Sequence, residues 1–476
     1  MGFLCASSSK HVGRLSSMDG GPIGIVLVSV TTFQEGYRMD TTTFQAWRVA
    51  LYATMTRRAA TLMNLLDALL TLPHAKRAIE LTLSLAFARR WTSFYDGVQE
   101  GHLNRRALRQ VYGAYLPSPP GRRLVIVLDA SSIFRPLSPT ARDRMFVHAA
   151  NLPAGAKPIG IGWQYSLLVV APDTPSSWTY VLNCTRIRSG TTPATLGAIQ
   201  VAAFCSTAPV SPLLLLDRYY GSATFLCDPR VQNCNKLARI QTHRVFYRQP
   251  PPPDAHRPGR RPTKGARFQP KDPTTHGEPT RTWSGTDARG RRVTVRAWTD
   301  LYFPNHMTHP VTLLECARHD GPDTKADPRV IWLLWDSPDD APLAEIPDLY
   351  ARRFSVEHGI RFDKQQLLWD EPRLRTGAFD RWTDLVMMAH NSLALARGFT
   401  AGVRLPWESE TRPPTPQQVR QALVGIMPTL GTPAPPPQRR GKSPRRAVGA
   451  HPHPAKRYPI VRKSPFPPAP APASAA

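Results

Sequence analysis

Carboxylates are scarce in this 476-residue chain: 34 Asp and Glu stand against 61 Lys and Arg, giving a formal net charge of +27. Charged residues make up only 20% of the chain, below the roughly 25% of ordinary soluble proteins, so the surplus comes from missing acids rather than abundant bases. A GC-rich genome would also raise Arg and Pro. A surface poor in carboxylates nevertheless suits a polyanion such as nucleic acid, because each carboxylate would repel phosphates. No CxxC pair occurs among the six cysteines (Cys5, Cys184, Cys205, Cys227, Cys234, Cys316), which argues against a zinc ribbon or a dense disulfide framework and fits a reducing cytosol. No apolar run approaches the ~18 residues that span a bilayer, so no membrane partner is expected. The stretch from Pro22 to Val30, behind Lys10 and Arg14, has the outline of a short signal peptide but no small-residue cleavage site after it. Ser131 and Ser132 lie in no G-x-S-x-G, and the GKS at Gly441–Ser443 has Pro436 where a phosphate-binding loop needs glycine.

What is present divides the chain. Residues 1–38 read as a leader. Residues 39–117 show helical spacing in TLMNLLDALLTL and IELTLSLAFARRW, with recurrent Arg from Arg48 to Arg109, and form a candidate DNA-end-binding domain. After LPSPPGRR the texture changes to strands. Leu124–Leu128 and Leu213–Leu216 are buried-strand runs, each followed at once by an aspartate, and WQYSLLVVA, WTYVLN, ARIQTHRVFYR, GRRVTVRAW, VTLLECAR and VIWLLWD supply others. Strands mixed with helices argue for an α/β core over 118–400. Between Gln249 and Arg281 lies a Pro-rich loop with seven Lys/Arg against three Asp/Glu, opening an insertion at about 249–325. A helical segment is expected over 401–427. The tail, 428–476, carries 14 of the 50 prolines, nine Lys/Arg and no acid, and is expected to be disordered.

Two features share one chemical logic. Asp129 and Asp217 each end an apolar run, and a carboxylate there is costly unless a cation compensates it. Either alone could be a helix or turn cap. On neighbouring strands, both would stand at one sheet edge, as oxygen ligands for a hard divalent cation. The third feature is LYARRFSVEHGIRFDKQQLLWD. Counting from Tyr350, Arg353, Glu357 and Lys364 fall at offsets of three, seven and fourteen, within about 60° of one another on one helix over 346–368. A salt-bridged surface helix would explain Arg353 and Glu357, but not the Tyr and Lys on the same face.

This pattern, Tyr-x2-Arg-x3-Glu-x6-Lys behind two strand-end aspartates, resembles the DDE-superfamily transposases of bacterial insertion sequences, over roughly Leu124 to Arg397. The resemblance implies a ribonuclease-H-like mixed sheet whose first and fourth strands present the aspartates, with a strand-rich insertion before the glutamate helix. It implies Asp129, Asp217 and Glu357 as catalytic and metal-binding residues for two Mg²⁺ ions, Mn²⁺ being a substitute, and Tyr350, Arg353 and Lys364 as phosphate contacts. Arg239 and Arg244 join them as candidate DNA-binding residues, and Trp298 or Trp283 as a base-stacking aromatic. The expected activity is cut-and-paste cleavage and strand transfer on double-stranded DNA, at terminal inverted repeats and target, by a dimer in the nucleoid-associated cytoplasm. The competing readings are a nuclease that cuts without joining and a domesticated, non-catalytic DNA-binding protein.

Overall fold

The computed structural model describes residues 39–462 apart from 118–122, 150–154, 156, 209, 253–260, 325–326, 401, 404, 410–411, 439–448, 450 and 452–453. The leader 1–38, the Gly-Lys-Ser of 441–443 and the tail beyond 462 lie outside the described residues.

Asp40 starts the first helix, α1 (Thr41–Ala53), its carboxylate accepting from the Thr43 N–H at 2.7 Å. The helix α2 (Ala59–Thr71) is buried from Thr61 to Leu70, as its run of leucines with no polar face requires. A two-strand ribbon of β1 (Met55–Arg57) and β2 (His102–Leu103) brackets it, with α3 (Thr92–Glu100) and α4 (Arg105–Ala114). Arg48 is not part of a basic outer face: it is fully buried and pairs with Asp67 at 2.8 Å.

The sheet begins with β3 (Val125–Phe134), then β4 (Met145–His148), β5 (Ile159–Val170) and β6 (Tyr180–Ile187). The helix α5 (Pro193–Cys205) follows, then β7 (Leu213–Leu216), the single turn α6 (Ala223–Leu226) and β8 (Asn235–Arg239). Within the sheet the order is β4-β5-β3-β7-β8, with β6 also on β5; β3, β7 and β8 are mutually parallel and β5 is antiparallel to β3. Val125–Leu128 is buried on both faces, as expected of a central strand. Asp129 does not end it: β3 runs five residues further, to Phe134. Asp217 does follow directly on β7.

The expected long strand over ARIQTHRVFYR is two short ones, β8 and β9 (Phe246–Tyr247), split by a turn. With β10 (Arg267–Phe268), β11 (Arg281–Thr286), β12 (Arg292–Phe303), β13 (His306–Arg318) and β14 (Val330–Asp336) they extend the sheet to twelve strands, because β14 pairs antiparallel with both β13 and β8. The insertion is thus continuous with the central sheet rather than a separate lobe.

The expected single helix over 346–368 is α7 (Ile346–Ala351), a 3₁₀ turn (Arg352–Phe354) and α8 (Ser355–Gln365). The long α9 (Thr376–Thr400) packs on β6 and on α1–α3. After it, α10 (Pro416–Leu430) starts from a Thr415–Gln418 capping box and runs past Pro428. Arg420 of α10 is fully buried and donates to the carbonyls of Leu69 (2.8 Å), Leu72 (3.0 Å) and Gln366 (2.8 Å), satisfying the carbonyl ends of two helices. The described part of the tail is also ordered against the fold, contrary to expectation. Tyr458 N–H donates to Pro139 O at 2.8 Å, Val461 N–H donates to Arg144 O at 2.7 Å, and Val461 bridges Met145 on β4 in parallel. Arg142 lies over the Tyr458 ring at 4.9 Å.

Candidate active site

The two aspartates reach one region from neighbouring parallel strands. Asp129 projects from mid-β3, one carboxylate oxygen accepting from the Ala130 N–H at 2.7 Å. Burial, then the carboxylates of Asp217 and Glu357, push its carboxyl up to about 6 against the pull of Arg353. Asp217 spends its Oδ1 on a turn, accepting from the N–H groups of Tyr219 (2.9 Å) and Tyr220 (3.2 Å), so the turn-cap reading of this residue holds beside the ligand reading. Its Oδ2 accepts no hydrogen bond among the described residues. Tyr220 is buried beneath, its hydroxyl raised well above the usual range by burial and by both aspartates.

The third carboxylate comes from α8. Glu357, its side chain half exposed, is joined to Arg353 at 2.7 Å, and Arg353 lies 4.0 Å from Asp129. Burial works against the guanidinium charge, but Tyr350, Asp129 and Glu357 together hold it firmly protonated. Arg353 also stands over the rings of Tyr350 (5.9 Å) and Phe354 (4.7 Å). Tyr350 is buried, where the charges of Arg353, Arg239 and Asp217 act on it. Lys364, at the far end of α8, donates to the Ser132 carbonyl on β3 at 2.8 Å, tying the helix to the strand that carries Asp129. That acceptor is a backbone carbonyl, which no side-chain pattern announces.

The helix comes close because Gly359 has no side chain: a Cβ there would sit 2.8 Å from Thr179 Oγ1. Behind it, His390 on α9 bonds Asp363 of α8 at 2.7 Å and Thr179 at 3.0 Å.

The structure therefore brings Asp129, Asp217, Glu357, Tyr350 and Arg353 within one another's electrostatic reach, with Arg239 at the end of β8 acting on Tyr350, while Lys364 meets β3 three residues beyond Asp129. Arg244 stands in the turn after β8, half-buried, its guanidinium depressed by burial and without an acidic partner among the described residues. Trp298 is elsewhere. It is 3% exposed, packed with Phe268, His276 and Trp332, and its indole N–H donates to Gly277 O. Trp283 is part-buried on β11.

Among the described residues, no three His, Cys, Asp or Glu side chains are gathered closely enough to enclose a metal ion. The Arg353 guanidinium instead supplies positive charge to Asp129 and Glu357. The donor set still suits a hard divalent cation: the carboxylates of Asp217 and Glu357 both act on Asp129, whose raised carboxyl a cation would relieve.

A family model described as DDE superfamily endonuclease matches residues 50–301, more than half of the chain, taking in Asp129 and Asp217 and ending before Glu357. No curated protein matches the chain. No helix among the described residues is long and apolar enough to cross a membrane.

Proposed function

This chain belongs to the DDE superfamily of endonucleases, and from that premise we propose that it is a DNA transposase of an insertion sequence, cutting element ends and joining them to target DNA. The observation that carries the reading is the meeting of Asp129 on β3 and Asp217 at the end of the adjacent parallel β7 with the α7–α8 segment, where Arg353 in the 3₁₀ turn links Glu357 to Asp129. Asp129, Asp217 and Glu357 would hold divalent ions, Mg²⁺ or Mn²⁺, which when bound activate the attacking oxygen and stabilise the leaving one.

The chain's own residues do the positioning. Arg353 presents a flat guanidinium suited to two phosphate oxygens, held over Tyr350. Lys364 gives one donor to Ser132 and keeps two for phosphate. Arg239 adds a cation from the neighbouring strand end, and the +27 surplus supplies general affinity for duplex DNA. A dimer holding two inverted repeats completes the reading.

The test is a strand-transfer assay on labelled element ends with Mg²⁺ and a target plasmid. Joined product is expected from the native chain, and Glu357→Ala should lose cleavage on the order of a thousandfold or more while still binding ends. Cleavage without joining would favour the nuclease reading. A Glu357→Ala protein that cuts normally would overturn the site assignment.

A further inference from the structure

The chemistry at the carboxylates makes no use of cysteine, yet two cysteines far apart in the chain meet. Cys205 is the last residue of α5, one turn beyond the fully buried Val201 and so on the same helix face. The helix packs against the 3₁₀ turn Pro229–Val231. Cys234 lies three residues past Val231, at the entry to β8, and its thiol donates to the Val231 carbonyl at 3.3 Å. The Cys205 and Cys234 thiols are in hydrogen-bonding contact with one another. Cys234 is 4% exposed, whereas Cys205 is half-buried and open on one side. Lys236, two residues along and fully buried, turns to the same face as Cys234, and its ammonium acts on both thiols while Asp336 holds it at 2.9 Å. The two sulfurs are unequal. The hydrogen bond with Cys234, aided by Lys236, holds the Cys205 thiol below its usual value against the effect of burial; the same bond and burial push Cys234 up. The nearby Cys227 is pushed up to about 11 by burial and by Asp336.

We propose that Cys205 and Cys234 form a reversible modification site, a disulfide made by a hydroperoxide and opened again by thiol reductants. The accessible Cys205 is the attacking sulfur and the buried Cys234 the resolving one. The Cys205 thiolate attacks one peroxide oxygen and the O–O bond breaks. Its sulfur becomes a sulfenic acid, and the other oxygen leaves as hydroxide, which takes up the proton given by Cys205 and becomes water. The Cys234 sulfur then attacks the sulfenic sulfur, the S–O bond breaks, and the oxygen leaves as a second water with the Cys234 proton. Two thiols are oxidised to one disulfide, and one peroxide is reduced to two waters. In a reducing compartment such a bond is transient. It joins the end of α5 to the entry of β8, and the chain between them, 206–233, contains β7 and Asp217. Closing that loop restrains the strand that delivers one of the aspartates.

The experiment treats the full chain with hydrogen peroxide and maps it by proteolysis and mass spectrometry without reductant. A peptide pair joined through Cys205 and Cys234 is expected, lighter than the separate peptides by the hydrogens lost, absent before peroxide and lost again with dithiothreitol. The thermal midpoint of the oxidised chain should rise by about 3–6 °C and return on reduction. Cys227→Ser should change neither result. In Cys205→Ser the joined pair and the rise should both vanish, and in Cys234→Ala the unresolved Cys205 should run on to its sulfinic acid. A native chain that gains oxygen at Cys205 without a joined pair, or that joins Cys227 to either partner, overturns the proposal. A joined pair with an unmoved midpoint overturns the restraint on the β7 segment. None of these readouts depends on whether the chain cuts DNA.

Discussion

Arg353 answers to two carboxylates at once, at 2.7 Å from Glu357 and 4.0 Å from Asp129, and this makes the signature helix more than a row of surface ion pairs. Its spacing from Tyr350 and Glu357 was legible in the sequence; its reach across to β3 was not, because that depends on how closely α8 packs at Gly359. Trp298 shows the opposite failure. Its place in the insertion suggested a base-stacking role, but β12, β13 and β14 carry an aromatic core of their own, in which Trp298 stacks on Trp332 at 5.4 Å. Trp298→Ala should therefore cost about 3–5 kcal/mol of stability, read as a lower denaturant midpoint. A variant as stable as the native chain but defective only on DNA ends would restore the stacking role.

At the scale of elements, α8 is fixed at its far end by Lys364 on Ser132 and from behind by the buried pair of His390 and Asp363. Burial alone would depress the His390 imidazole, but the Asp363 carboxylate outweighs it and the net shift is upward. A histidine whose folded-state value is raised stabilises the fold fully below its unfolded value of about 6.5, and that contribution is lost as pH rises through the folded value. The thermal midpoint should fall with rising pH above about 6.5, and His390→Asn should flatten this slope. An unchanged slope in the variant would show that the pair does not titrate. The helix itself was legible as a 3.6-residue pattern, as were the buried strand runs ahead of both aspartates. The ends of elements were harder to read. β3 continues through Asp129 because Ala130–Phe134 pairs with β5, and ARIQTHRVFYR breaks because its second half finds a partner only in β10 and one residue of β12. Strand partners far off in the chain leave no local mark.

For the molecule as a whole, the charge and proline surplus pointed to loose cationic arms, and the described tail corrects this in part. Residues 458–461 run against the start of β4, with backbone hydrogen bonds to Pro139 and Arg144, a bridge from Val461 to Met145 and an arginine over the Tyr458 ring. Proline and arginine suppress helix and core signals, so composition hid this docking. Removing residues 454–476 should cost about 2 kcal/mol and expose an edge that pairs with other chains, seen as a lower thermal midpoint and aggregation on standing. A truncated chain that is equally stable and monodisperse would count against it. The buried Arg420 sets a different kind of constraint, one of timing. The carbonyls of Leu69 and Leu72 leave the ribosome long before the guanidinium that satisfies them, and at ordinary synthesis rates of about 5–20 residues per second the wait is roughly 20–70 s. Through that interval α2 lacks the residue that closes its end. A nascent chain stopped anywhere short of α10 therefore leaves that end open, which ties the completion of this fold to the completion of its translation.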